Sequence, residues 1–235
     1  MLAVSLGASA LSALLSFIGS LLAPQRLSQQ QALLVGSLSP NSWLDLVLQL
    51  AGIAEALAPV VLVLYLLARD GDPPSVLGLD GSQPAADAGR GAVVAALLGG
   101  AGLALYVGAY HLGVSLTVVP ENLPAVWWRI PVLLLSAAHN GLLEEIVMIG
   151  YLLRRLDQLG WSPVASGAAS ALLRGCYHLY QGLGGFAGNA AMGAIFAALY
   201  RRWGRVTPLI VAHSLIDAVA FVGYAELHGH VRWLP

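Results

Sequence analysis

Six side chains could do chemistry together, because each lies inside an apolar run and each has a companion either adjacent or four residues away. Glu144 and Glu145 are adjacent near the middle of the run from Asn140 to Arg155. His213 and Asp217 are four apart, hence on one helix face, where the carboxylate can accept a hydrogen bond from one imidazole nitrogen and fix the tautomer. Arg174 and His178 are likewise four apart on another run. A charge at the centre of a membrane helix costs roughly 2.5–3.5 kcal/mol on insertion scales, so two neighbouring carboxylates are expensive as scaffolding and read first as a site. Adjacent glutamates sit about 100° apart around a helix, so both can border one cavity without facing the same point. Close together in low dielectric they titrate as a pair, leaving one as base and the other as acid or as an anchor for an arginine. With a histidine opposite, that is enough to activate a water against a peptide carbonyl, and peptide hydrolysis is the reaction the set suits best.

The elements that must position these groups are membrane helices. The 235-residue chain is 58% hydrophobic and only 10% charged, against roughly 25% charge in soluble domains. All 11 basic residues are Arg, and a formal net charge of -1 supplies no basic patch for nucleic acid. The single Cys176 excludes an intrachain disulfide, and one cysteine cannot build a zinc-finger spacing. The first 23 residues lack an Arg or Lys n-region and a clear small-residue cleavage site, so they read as a retained helix.

Apolar runs near 3–23, 44–68, 91–118, 127–156, 163–180, 184–203 and 206–225 predict one all-α polytopic domain of about seven transmembrane helices. The fourth run is longer than a bilayer needs, and a kink at His139-Asn140-Gly141 would split it into an eighth span. Arg154 and Arg155 end one span, and Arg201, Arg202 and Arg205 end another two crossings later, so both clusters fall on one side. The positive-inside rule makes that side cytoplasmic. It puts the N-terminus and the 69–90 loop inside, with the 118–126 turn and the tail bearing His228 and His230 outside. Trp127, Trp128, Trp161 and Trp203 fall at span ends, where an indole prefers to sit. The 69–90 loop, with Asp70-Gly71-Asp72-Pro73-Pro74 and Asp80-Gly81-Ser82, reads as a linker. Gly184 and Gly188 read as a close helix-packing surface.

Glu144-Glu145 followed by Gly150-Tyr151-Leu152, then His178, then His213-Ser214-Leu215-Ile216-Asp217, resembles the CPBP (ABI) family of membrane endopeptidases, which includes CAAX prenyl proteases and bacteriocin-processing enzymes. That family carries EExxxR, FxxxH and HxxxN/D in this order on successive membrane helices, and the resemblance covers about residues 125–225. It implies that Glu144 and His178 activate the hydrolytic water, that Glu145 belongs to the same site, and that His213 and Asp217 complete it and stabilise the oxyanion. The implied partners are the bilayer and a membrane-bound protein or peptide substrate in the cell membrane. The sequence requires no cofactor. Zinc is the one candidate metal, with His178, His213 and Glu144 as its ligands. Two departures from the pattern stand out. Ile149 occupies the motif arginine's position and Arg174 that of the motif phenylalanine, so Arg174 is expected to reach Glu145 and replace the missing guanidinium.

Other polar residues have blander readings. Glu55, in the middle of the second span, reads as cavity-facing or as a packed glutamate. Asn140 and Asn189 read as interhelical hydrogen-bonders, and His111 and His139 as structural. Cys176 lies on a face roughly opposite His178, which excludes a Cys–His dyad within that helix. A catalytically reduced scaffold or bacteriocin-immunity protein is the alternative that keeps the fold without the reaction. A proton-coupled carrier would require an inverted repeat, and the chain has none at a fixed period.

Overall fold

In lipid, only backbone bonded within its own segment is satisfied, so long apolar runs become helices. The computed structural model describes residues 2–227, with side chains from Leu6 onward; the tail histidines 228 and 230 lie outside the described residues. Along the chain the elements are α1 (Leu2–Leu22), β1 (Gln31–Val35), α2 (Ser42–Ala56), α3 (Ala58–Arg69), α4 (Pro84–His111), β2 (Thr117–Glu121), α5 (Arg129–Glu144), a π-helical stretch (Glu145–Tyr151), α6 (Leu152–Gln158), α7 (Pro163–Tyr177), α8 (Leu183–Trp203) and α9 (Thr207–Leu227). The protein is an all-α multi-pass membrane bundle. Five helical stretches are long and apolar enough to cross a bilayer: Ser42–Arg69, Pro84–His111, Arg129–Gln158, Leu183–Trp203 and Thr207–Leu227. The other two expected spans are α1 and the shorter α7. The latter stops at Tyr177 because a 3₁₀ turn, Leu179–Gln181, and Gly182 at φ 94° redirect the chain.

No break falls at His139-Asn140-Gly141, so the eighth span does not form. Gly141 is a packing glycine instead: a Cβ there would run into Ser214 and the Ile210 carbonyl of α9. The irregularity comes one turn later, where the helix widens to π form beginning at Glu145. Such bulges cluster at functional sites. The long core is completed by α7 on α8, α4 on α9 and α5 on α9.

At one end of the bundle a parallel two-stranded sheet pairs Gln31 with Thr117 and Val35 with Glu121. Buried Glu121 ion-pairs with Arg129 and fixes the start of α5. Trp128 is buried rather than interfacial; its indole N–H donates to Ser42 Oγ at 3.2 Å, holding the starts of α2 and α5 at one level. Trp127 and Trp161 are exposed as expected.

Arg154, Arg155, Arg201 and Arg205 gather at the opposite end. Arg154 pairs with Asp72 at 2.5 Å, Arg155 with Asp70, Arg201 with Asp157, and Arg205 with Asp87 at 2.7 Å and Asp80 at 2.9 Å. The Arg205 guanidinium, helped by the Ser82 N–H and hydroxyl, holds the Asp80 carboxyl well below the usual carboxylate range. The 69–90 segment is therefore docked and is not a loose linker. Leu77 is fully buried against Gly150, and the Leu77 carbonyl accepts the Val206 N–H at 2.9 Å. Gly78 has φ 68°, and a Cβ there would overlap the Arg205 backbone. Gly78→Ala is expected to cost at least about 1–2 kcal/mol from the left-handed backbone alone, read as a lowered Tm in detergent with the helical content of the cold protein unchanged.

Candidate functional site

The π-helical widening after Glu144 puts both glutamates on the interior of the bundle, where α7 and α9 bring their polar faces. Glu145 is fully buried, and its Oε1 accepts from Arg174 Nη1 and His213 Nδ1, each at 2.8 Å. Arg174 Nη2 lies 3.2 Å from Glu144 Oε2 and 3.1 Å from His213 Nδ1. The reach from α7 to Glu145 is thus present, and one guanidinium ties the three helices together. Gly193 on α8 makes room for it, since a Cβ there would stand 3.0 Å from Arg174 Cδ, and the Phe196 ring lies 5.4 Å from its guanidinium carbon.

The two oxygens of Glu144 are not equivalent. Oε2 is held by the Tyr177 hydroxyl at 2.8 Å and by Arg174, whereas Oε1 faces His178 Nε2 at 3.9 Å. His178 Nδ1 is 3.0 Å from the Arg174 carbonyl, which can only accept, so Nδ1 carries the proton and the Nε2 lone pair points toward Glu144. On α9, His213 Nε2 lies 3.7 Å from Asp217 Oδ2. That same oxygen accepts from Asn140 Nδ2 at 2.8 Å, an α5–α9 link that joins Asn140 to the cluster.

A cavity of about 1270 Å³ reaches this cluster. Glu144, Tyr177, His178, His213 and Asp217 stand along it, and α2, α4, α8 and α9 supply its mostly apolar walls. Gly184 and Gly188 border it too, and they let α8 approach Ala109, Ser115 and Leu105 closely, as the packing reading expected. His139 and Asn189 also line the cavity, while Glu55 does not; it is exposed on the outside of α2, neither cavity-facing nor packed. Tyr177 escaped the sequence reading. Its signal was available: it is three residues after Arg174, hence on the same helix face.

Glu144, Glu145 and His213 offer metal-ligating atoms within 4.8 Å of one another. The fit is nevertheless poor. The Arg174 guanidinium already sits on all three, and a dication at their focus would be pressed against a fixed cation. His178, the other zinc candidate, turns one nitrogen to a backbone carbonyl and stands on the far side of Glu144. These residues do not fit zinc while Arg174 holds its place.

Fold and site together define a polytopic helical membrane protein with carboxylates, imidazoles and one guanidinium gathered at the inner end of an apolar cavity. Residues 126–219, which contain the whole cluster, match the family model described as Rce1-like, type II CAAX prenyl endopeptidase Rce1-like. The match covers 94 of the 235 residues and agrees with the resemblance to the CPBP family that the motifs carry. No curated protein and no solved structure matches the chain.

Proposed function

We propose that the protein is an intramembrane endopeptidase that hydrolyses a peptide bond in a lipid-attached or membrane-anchored substrate, with Glu144 and His178 activating the water. The observation that carries this reading is the facing pair Glu144 Oε1 and His178 Nε2 at 3.9 Å beside the cavity. That gap is too long for a direct hydrogen bond and right for one water held by both. Glu144 takes the water's proton as its oxygen attacks the carbonyl carbon, and the proton is then delivered to the leaving nitrogen. His178 orients the water through its lone pair. Tyr177 and Arg174 pin the other oxygen of Glu144, so the basic one stays aimed at the water. His213, bracketed by Glu145 and Asp217, is placed to donate to the developing oxyanion. Arg174 holds Glu145 and His213 in register, in the role of the absent motif arginine.

The walls support a substrate class with an apolar attachment. Leu48, Leu105 and Val219 line the cavity and are also exposed on the flanks of α2, α4 and α9, so it opens sideways at membrane depth. An apolar chain attached to a peptide can enter there without leaving the lipid. Arginines at the α6 and α8 ends support a cytoplasmic location for the end of the bundle opposite the sheet by the positive-inside rule. The test is incubation of the purified protein in vesicles with a peptide carrying a prenylated cysteine and a short C-terminal extension, with products identified by mass. Cleavage next to the lipidated residue, unchanged by a zinc chelator, is the expected result. Failure to cut prenylated and other membrane-anchored peptides alike would leave a scaffold in its place.

A further inference from the structure

Glu55 is an unusual residue for a lipid-facing surface. It is near the middle of the Ser42–Arg69 span, is exposed, and has no hydrogen-bond or ion-pair partner among the described residues. A carboxyl group at that depth is costly unless something pairs with it.

The backbone beside it does not supply the partner. The α2–α3 joint falls at Leu57, and Pro59 has no N–H to give to the Glu55 carbonyl four residues back. Val60 gives its N–H to the Leu57 carbonyl at 3.0 Å. The Leu57 N–H is shared among the Ile53, Ala54 and Glu55 carbonyls, so the joint has no spare backbone donor for the Glu55 carboxylate. Ala51, Gly52, Ala54 and Ala58 around it are small and exposed, and a Cβ at Gly52 would meet nothing within 4 Å, so another helix can approach closely.

Its position is telling. The starts of α2 and α5 are level through the Trp128–Ser42 hydrogen bond. Glu55 is 13 residues past Ser42 and Glu144 is 15 past Arg129, which at 1.5 Å per residue puts both acids about 20–23 Å from the sheet end. Gly52, a helical neighbour of Glu55 three residues earlier, lines the cavity.

We propose that Glu55 docks the membrane-spanning segment of a protein substrate that carries a Lys or Arg near its middle, holding it beside the side opening at the depth of the catalytic pair. The inference rests on the endopeptidase reading and names one substrate class for it. A cation with several N–H donors complements the Glu55 carboxylate, which a hydrocarbon helix cannot do. A second copy of the chain fits less well. The exposed patch would bring another Glu55, and the intramembrane cation at this depth, Arg174, is buried on its own glutamates.

The experiment measures resonance energy transfer in phosphatidylcholine vesicles between the labelled Glu144→Gln protein and labelled synthetic helices of about 20 leucines, with or without one central Lys. The Lys helix should bind roughly tenfold tighter than the all-Leu helix, the size of effect that polar pairs give between membrane helices. That preference should vanish in the Glu144→Gln, Glu55→Leu double variant, whose helical content serves as the control for folding. Equal binding of both helices, a preference that survives Glu55→Leu, or energy transfer only between copies of the protein would each overturn the proposal. Repeating the measurement with Glu144 intact separates the two claims: Lys-dependent binding without cleavage of any membrane substrate sinks the protease reading and leaves the docking site standing.

Discussion

Arg174→Phe is expected to destabilise the protein by about 3–5 kcal/mol and to abolish cleavage, because it removes the only cation from a cluster that holds two glutamates. Glu145 is fully buried, and without the guanidinium its Oε1 keeps only His213. Phenylalanine is the residue that the family pattern has at this position, so the substitution is mild by that standard and severe by the local one. The difference lies at Ile149, where the pattern has arginine. Ile149 is fully buried one turn beyond Glu145, and an arginine placed there can return a guanidinium to the same carboxylate. The Arg174→Phe, Ile149→Arg double variant should therefore recover much of the Tm and activity that Arg174→Phe loses, while Ile149→Arg alone crowds a second cation into a satisfied site and lowers both. A double variant no better than Arg174→Phe would end the idea that one arginine stands in for the other.

What the sequence disclosed and what it hid divide along the range of the interactions. His213 with Asp217, and Arg174 with His178, were visible because a four-residue spacing on a helix fixes which side chains share a face. The ordered motifs suggested that those faces meet, and they do meet through Arg174. Tyr177 was legible from its three-residue spacing to Arg174 but was passed over; the end of its helix was not legible, because the sharp turn at Gly182 depends on contacts with Ser115 and Leu116 far away in sequence. The two-stranded sheet was hidden for a similar reason, since strands 86 residues apart in register leave no local pattern. The expected kink at Gly141 went wrong because a glycine inside a helix signals either a hinge or a close neighbour, and here α9 is the neighbour. Glu55 was misread because hydropathy gives the depth of a residue but not the direction it faces. The arginine-end loop looked like a linker by composition, and only Leu77 under Gly150 and Arg205 between two aspartates reveal it as part of the core.

The central claim is that Glu144 and His178 act on one water as a unit. Groups that share a step are strongly non-additive, since losing either already forfeits what the pair supplies. The most direct measurement is the kcat/KM for a prenylated peptide with Glu144→Gln, His178→Ala and the double variant, each confirmed folded by its Tm. Each single change should lower kcat/KM by about 10²–10⁴, and the double variant should be no slower than the slower single. Losses that multiply in the double variant, or a Glu144→Gln protein that still cuts at the native rate, would contradict the account.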